Sequence, residues 1–144
     1  MELREYVLGV LRDAYVLSLG VSDADGVWVS DVTYVYDDDY NLYWVSQPTA
    51  RHSGVAGTGA QVAGTIHAGV HADAERAIQL SGTLAVLEGP QPDLVQKLNA
   101  KIGSGKSYTV EGLLAGGLRW YKLTPTRIEL HHSDPFGWNR QKVL

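Results

Sequence analysis

The sequence predicts a mainly β fold, an antiparallel β-barrel of about six strands with a few helices in its connections. Several segments rich in Val, Trp, Thr and Tyr alternate apolar and polar residues, a pattern typical of half-buried strands. Turn signatures such as Asp25-Gly26 join neighbouring segments closely, and strands joined by tight turns pair antiparallel. Closure into a barrel would remove the exposed edges that such apolar strands otherwise present.

The strands are predicted from this alternation and from the turn residues that bound each segment. They cover residues 16–21, 27–36, 42–46, 61–67, 77–88 and 118–130. The first three are joined by short turns and form an antiparallel meander. Gly82 marks a bulge or a close backbone approach, and Pro125 marks a bend in the last strand.

Helical periodicity predicts the remaining elements. Apolar residues at helical spacing indicate an amphipathic opening helix over residues 2–12. Thr49 is the expected N-cap of a second helix. Shorter helices are predicted over residues 50–57, 92–101 and 108–114. The Ala-rich stretch 68–76 is a polar connection, and the tail 134–140 is irregular.

Composition limits the classes of function. The chain has 144 residues, so we take residues 1–144 as a single domain. It carries 12 basic and 16 acidic residues, a balance that does not favour nucleic acid as a partner. The absence of cysteine excludes thiolate catalysis and zinc–thiolate or iron–sulfur sites. No apolar run approaches the ~20 residues of a membrane-spanning helix, and the charged N-terminus is unlike a signal peptide. We therefore expect a soluble, cytoplasmic protein with no membrane contact.

Two glycine-rich motifs suggest nucleotide chemistry that the surrounding sequence does not support. The segment AKIGSGKS, residues 100–107, satisfies a relaxed phosphate-loop pattern. That loop needs a buried strand before it, whereas helical periodicity precedes it here. Gly54, Gly57 and Gly59 form the reverse of the dinucleotide fingerprint, without a parallel βαβ unit. Both motifs are therefore interpreted as ordinary connections.

The histidines do not form a convincing metal site. His67 and His71 are four residues apart, which is a ligand spacing only on a helix. His131 and His132 are neighbours at a strand end, so their side chains point to opposite faces. A catalytic metal needs three protein ligands, and no acidic residue stands at a convincing third position. No Gly-x-Ser-x-Gly elbow supports a serine hydrolase either.

One segment combines polar and charged side chains that point to ligand binding as well as to a purely structural role. The strand 42–46 ends at Ser46 and is followed, after a turn with proline, by Arg51-His52 at the start of a short helix. Arg51 offers a planar fork of donors, His52 adds another, and a helix N-terminus supplies positive potential. These groups suit a phosphate monoester at the rim of a barrel. A solvated Arg-His pair is the alternative on composition alone.

The run from Leu17 to Ile66 resembles the FMN-binding split barrel of the pyridoxamine 5'-phosphate oxidase-like superfamily. The resemblance is carried, in order, by VWVSDVTYVYD, LYWVS, the step TARH and the strand QVAGTI. Among its members, the chain is most similar to the small bacterial YhbP-like proteins, also through its Phe-Gly-containing tail. The resemblance implies a six-stranded antiparallel split barrel, a homodimer and FMN as the cofactor.

The resemblance also assigns site residues. Arg51 and His52 would hold the FMN phosphate, and Gln79 matches a glutamine that reaches the flavin. Trp138 and Arg140 would close the site from the neighbouring subunit. The remaining residues would line the flavin from two strands: Ser30, Asp31, Val32, Thr33, Tyr34, Val35, Val45 and Ser46.

Several functions are consistent with this site. The first is an FMN-dependent oxidoreductase acting on an unknown small molecule, in which the cofactor performs the hydride chemistry. Ser30 and Val35 stand where the oxidase has basic residues, so pyridoxamine phosphate is not the expected substrate. The alternatives are a non-enzymatic module that binds flavin or haem, and use of the deazaflavin F420.

Overall fold

A single antiparallel sheet dominates the structure, a computed structural model that describes residues 1–69, 75–103 and 107–144. The strands are β1 (Val16–Asp23), β2 (Gly26–Thr33), β3 (Val35–Tyr36), β4 (Leu42–Ser46), β5 (Gln61–Ala68), β6 (Arg76–Leu87), β7 (Arg119–His132) and β8 (Gln141–Lys142). The helices are α1 (Leu3–Asp13), α2 (Pro92–Ile102), α3 (Val110–Ala115), α4 (Ser133–Phe136) and a 3-10 helix (Arg51–Val55). The mainly β, antiparallel prediction is confirmed.

The strand order shows how the sheet curls. Seven strands follow the path β2-β1-β5-β6-β7-β4-β3, and β8 adds to β7 beside this path. The two ends of the path, β2 and β3, are consecutive in the chain and separated only by Tyr34. The sheet therefore bends round until its edges meet at that residue. The predicted count of six strands is not exact, because the second predicted strand divides and the tail adds β8.

The division at Tyr34 also corrects the predicted meander. The N-terminal part of the run pairs with β1, from Thr33 against Val16 to Gly26 against Asp23. The C-terminal part pairs with β4 instead, and β4 in turn pairs with β7. Tyr34 is fully buried, and its hydroxyl donates a hydrogen bond to the Leu11 carbonyl of α1 at 2.8 Å. This side chain turns inward, which ends one ladder and begins the other.

Two apolar clusters stabilise the sheet from its two faces. The first fills the inside of the curled sheet beneath α1, which contributes Val7, Val10 and Leu11. The second lies between the outer face of β3, β4 and β7 and the helices α2 and α3. Its buried members are Val35, Leu94, Val95, Leu98, Leu113 and Trp120. The helices predicted over 92–101 and 108–114 therefore form a layer over one side of the barrel.

The predicted irregularity at Gly82 is confirmed. The register between β6 and β7 shifts between Ser81 and Gly82, where Gly82 lies opposite Pro125. A Cβ atom placed on Gly82 would stand 2.1 Å from the carbonyl oxygen of Thr124. Only glycine permits this approach without displacing the backbone. Because proline has no N–H to donate to a ladder, the shift falls where β7 contains Pro125.

Other local predictions need correction. The segment predicted as a helix over 50–57 is a 3-10 helix of five residues, capped by Ala50 without a side-chain hydrogen bond, so Thr49 is not its N-cap. The tail predicted as irregular contains α4 and β8. His71, part of the connection predicted over 68–76, and residues 104–106 of the glycine-rich motif lie outside the described residues. Helix α2 precedes that motif, as expected. In the described part of the chain, no helix has the length and apolar character needed to cross a membrane.

Candidate functional site

A cavity of about 410 Å³ opens at the seam between β2 and β4. The run that forms β2 and β3 divides at Tyr34: β2 pairs with β1, whereas β3 pairs with β4, which leaves space between β2 and β4. The helices α2 and α3 cover this space, and Tyr15 lies at its edge. The strands and the 3-10 helix contribute six residues of the predicted site: Asp31, Val32, Thr33, Val45, Ser46 and His52. We refer to this space as the seam cavity.

His52 and Ser46 form the polar pair of the seam cavity. The Nε2 atom of His52 lies 2.9 Å from the Oγ atom of Ser46, within hydrogen-bond distance. Ser46 is the last residue of β4, and the 3-10 helix directs His52 back towards it. Burial lowers the pKa of His52 below its usual value, so the imidazole is neutral at pH 7. A neutral imidazole and a hydroxyl offer both donors and acceptors to polar atoms of a ligand.

Asp31 places a carboxylate at the edge of the seam cavity. Its side chain points away from the first apolar cluster and accepts a hydrogen bond from the Ser18 hydroxyl at 2.6 Å. Thr33 lies two residues further along the same face of β2. Among the described residues that line the cavity, Asp31 is the one carboxylate and no Lys or Arg is present. The described lining is therefore polar on the strand side without being cationic.

Arg51 does not line the seam cavity, although it directly precedes His52. Its Nε and Nη2 atoms donate to the two carboxylate oxygens of Asp23 at 2.9 and 3.0 Å. The guanidinium also lies over the Trp28 ring, 4.9 Å from the ring centroid. The hydrogen bond from Arg51 lowers the pKa of Asp23. Arg51 thus binds the β1–β2 hairpin, while its neighbour His52 faces the cavity.

The predicted residues Gln79, Trp138 and Arg140 lie together elsewhere, on the outer face of β6 and β7. The Nη1 atom of Arg140 donates to the Gln79 side-chain oxygen at 2.6 Å. The Trp138 ring is 90% exposed, and its centroid lies 6.0 Å from that of His131. Within this chain, none of these three residues lines the seam cavity.

The last three predicted residues belong to the barrel itself. Ser30 is half-buried on β2, opposite Leu19 of β1. Tyr34 is in the first apolar cluster and Val35 in the second. None of the three lines the seam cavity. Their assignment as residues that line a flavin remains a prediction.

Sequence reasoning missed the helical side of the cavity. This wall consists of Leu98, Ile102, Tyr108, Leu113 and Leu118. Leu98 and Ile102 are four residues apart on α2. This spacing predicts a helix with one apolar face, but it does not indicate which part of the sheet that face packs against. The wall gives the seam cavity an apolar side opposite its polar strand side.

Lys101 is a further residue to which sequence reasoning assigned no role. Its Nζ atom donates to the Tyr34 carbonyl at 2.5 Å and lies 3.3 Å from the centroid of the Tyr34 ring. Burial lowers the pKa of this lysine to about 8. Lys101 lines an adjacent cavity of about 660 Å³ between α1 and α2, which also touches Tyr15. Tyr15 therefore stands between the two cavities.

Comparison with known sequences finds relatives of low identity that align with only part of the chain. The sequence matches no family model. Over 89 residues it is 29% identical to a UPF0306 protein of Cronobacter sakazakii and 32% identical to one of Enterobacter sp.. Each match covers 60% of this chain and 62 or 63% of the relative. The chain therefore spans less than two thirds of the length of these relatives.

Solved structures share the fold at low sequence identity. Rv2991, a conserved hypothetical protein of Mycobacterium tuberculosis, aligns with a TM-score of 0.77 over 100% of this chain and 92% of its own, at 13% identity. HutZ, a haem storage protein of Vibrio cholerae, has a TM-score of 0.68, with 92% and 95% covered at 16% identity. A Listeria innocua protein described as a candidate pyridoxamine 5'-phosphate oxidase has a TM-score of 0.68, with 90% and 98% covered at 16% identity. The chain therefore shares its overall fold, a curled antiparallel sheet with few helices, with these solved proteins.

The seam cavity is the place where the curled sheet is open, between the two ends of the strand path. At the identities found, the likeness to solved structures establishes the fold and leaves the ligand to be argued from the site. The split barrels named above include a haem storage protein and a candidate pyridoxamine phosphate oxidase.

Proposed function

We propose that this split barrel binds FMN in the seam cavity and acts as a flavin-dependent oxidoreductase on a small molecule. The observation that carries the proposal is the cavity itself, which places a neutral imidazole–hydroxyl pair opposite an apolar helical wall. Its volume of about 410 Å³ is within the range of small-molecule sites. A flat heteroaromatic ring has apolar faces and polar edge atoms, and the cavity offers surfaces that match both.

The residues present fit the ring of a flavin. Leu98 and Ile102 on the helical side would pack against a ring face. Ser46 and His52 on the strand side would hydrogen-bond its polar edge, since both can donate and accept. The flavin would supply the hydride or electron transfer when bound. The chain's own part is to bind and orient the ring and to exclude water with the α2–α3 layer.

The phosphate of FMN is the second recognition element of this proposal. Arg51 is the nearest residue in sequence to the cavity pair that carries a guanidinium, and such a group forms strong bidentate bonds with phosphate. In the structure its fork is bonded to Asp23. Phosphate binding by Arg51 therefore requires that this ion pair opens.

The proposal includes a homodimer of the YhbP-like type in the cytoplasm. The UPF0306 relatives, at 29 and 32% identity, are weakly compatible with the YhbP-like subfamily and say nothing of the dimer or the compartment. Val27 and Val29 are exposed on β2, with fractional exposures of 76 and 61%, and a second copy would cover them. Trp138 and Arg140, which are distant from the seam cavity of their own protomer, would then approach the cavity of the partner. Sedimentation as a monomer at micromolar concentration would contradict this part.

A non-enzymatic haem-binding module is the second candidate function. It is favoured by the fold shared with HutZ and by the presence of an imidazole, a common haem ligand, in the seam cavity. Bound haem would give a Soret band whose position and intensity change in His52→Ala, whereas bound flavin would give an absorption band in the blue region of the spectrum. Steady NAD(P)H-dependent turnover with an electron acceptor would favour the oxidoreductase over the module.

Titration of the purified protein tests the proposal. FMN fluorescence should be quenched on binding, and His52→Ala should weaken FMN by a factor of about 2 to 13, because a lost hydrogen bond in a binding site costs about 0.5–1.5 kcal/mol. His67→Ala is the matched control, since His67 lies on β5 and is bonded to Glu75 outside the cavity. Titration with F420 and haem in parallel identifies the preferred cofactor. A protein that takes up no flavin, or equal losses in the two variants, would contradict the proposed site.

A further inference from the structure

The guanidinium of Arg51 is already bonded to an anion of the same chain, the carboxylate of Asp23. Nε and Nη2 of Arg51 each donate to a different oxygen of the Asp23 carboxylate, and Nη2 also lies 3.4 Å from the Gly26 carbonyl oxygen. This parallel two-bond geometry is the one by which a guanidinium binds two oxygens of a phosphate. Asp23 therefore occupies the donors that an external phosphate would need.

The surroundings of Arg51 keep the guanidinium ready to bind an oxyanion. The Trp28 ring supports one face of the guanidinium, which holds the planar group in place whichever anion it binds. The Arg51 and Asp23 side chains are 31 and 28% exposed, so water and small ions reach the pair. Water screens this half-exposed pair, so a second anion arriving from solvent can reach the guanidinium and replace the Asp23 carboxylate.

We propose that Asp23 is a specificity-determining residue: it competes with the phosphate of the ligand for Arg51, so the site discriminates weakly between a flavin and its phosphate ester. The inference rests on the proposed function and concerns the same site. An FMN molecule gains the Arg51 contact only by displacing Asp23, which offsets part of the gain. Riboflavin has the same ring without the phosphate and leaves the ion pair closed.

Substitution of the aspartate by asparagine isolates this competition. Asp23→Asn removes the charge and keeps a side-chain oxygen, which can still accept the hydrogen bond that the Asp25 amide donates to Asp23 at 2.9 Å. The hairpin turn is therefore preserved. Asp25→Asn is the matched control: it makes the same charge change two residues away, and within the described part of the chain its side chain accepts no hydrogen bond from Arg51.

The experiment measures dissociation constants of FMN and riboflavin by flavin fluorescence for the wild type and both variants. Asp23→Asn should tighten FMN about two- to fivefold, the range that corresponds to an ion pair screened by water, and leave riboflavin unchanged. Asp25→Asn should alter FMN less than Asp23→Asn does. The gain should vanish when Asp23→Asn is combined with Arg51→Gln, because the phosphate then has no fork to bind.

The results separate the two proposals. If neither flavin binds the wild type, the proposed function fails and this inference fails with it. If FMN binds but Asp23→Asn leaves the FMN-to-riboflavin ratio unchanged or lowers it, the proposed function stands and the competition by Asp23 is refuted. An equal effect of the two asparagine variants would also refute it, because the cause would then be net charge rather than release of Arg51.

Discussion

Substitution of Gly82 by alanine should lower the free energy of unfolding more than the same substitution at Gly64 or Gly20, the two other sheet glycines compared below. The added Cβ would stand 2.1 Å from the Thr124 oxygen and 2.8 Å from the Cα atom of Pro125. Ordinary contacts begin near 3.4 Å, so the two strands must separate by about 1.3 Å at this point. Both obstacles are backbone atoms, which cannot rotate away as a side chain can.

The expected cost follows from this separation. Overpacking typically costs about 1–3 kcal/mol, and the movement also strains neighbouring ladder hydrogen bonds, worth about 0.5–1.5 kcal/mol each. Alanine restricts the unfolded chain and returns about 0.4–1 kcal/mol. We therefore expect Gly82→Ala to lower the free energy of unfolding by about 3 kcal/mol, which for a domain of this size lowers the melting temperature by roughly 10 °C.

Two other glycines of the sheet provide a graded comparison in urea denaturation monitored by circular dichroism. A Cβ on Gly64 would meet the end of the Leu17 side chain at 2.6 Å and the Ser18 oxygen at 2.9 Å, so its cost should be intermediate. A Cβ on Gly20 would lie 3.4 Å from the nearest atom, and Gly20→Ala should be close to neutral. If Gly82→Ala and Gly20→Ala differed by less than about 1 kcal/mol, the reasoning from close approach would be wrong.

Two further predictions concern a hydrogen-bonded loop and a titrating group. Asp37 accepts hydrogen bonds from the Tyr43 hydroxyl at 2.8 Å and from the Asn41 side-chain amide at 3.0 Å, so Asp37→Ala should cost about 1–3 kcal/mol in urea denaturation; a similar cost for the exposed neighbour Asp39 replaced by alanine would contradict this. Because burial lowers the pKa of His52, its NMR titration midpoint should lie below 6.5, and its contribution to stability should be lost as the pH falls below 6.5 towards that midpoint. A midpoint above 6.5 would show that the imidazole is stabilised in its charged form.

Most of the fold followed from local patterns. The opening helix, the long strands β6 and β7 and the helices α2 and α3 were predicted within a few residues of their bounds, because each has a strong hydrophobic period. Gly82 was singled out because glycine inside a strand pattern usually has a steric reason. The division at Tyr34 was not predictable in the same way. Alternation along 27–36 indicates extended backbone, but it contains no information on which neighbouring strand each half pairs with.

The site was predicted in part for the same reason. Ser46 and His52 are six residues apart and joined by a tight turn, so the short connection between them is enough to bring their side chains together. The pairing of Arg51 with Asp23 joins residues 28 positions apart, and nothing local in either segment indicates it. The apolar wall from α2 and α3 depends on tertiary packing as well. The residues that the sequence placed best are therefore those whose contacts are shortest along the chain.

The division of the strand at Tyr34 determines which residues at the opening can be substituted without disturbing the sheet. The main-chain groups of β2 are bonded to β1, and those of β4 are bonded to β7, so both ladders are built without main-chain bonds across the opening. Asp31 also accepts a hydrogen bond from Ser18 of β1, and Val45 packs against the second apolar cluster, so changes at these two positions reach the supporting structure. Thr33 is the position at the opening where a larger, smaller or differently charged side chain leaves every main-chain bond of the two ladders in place, which makes it the natural starting point for redesign.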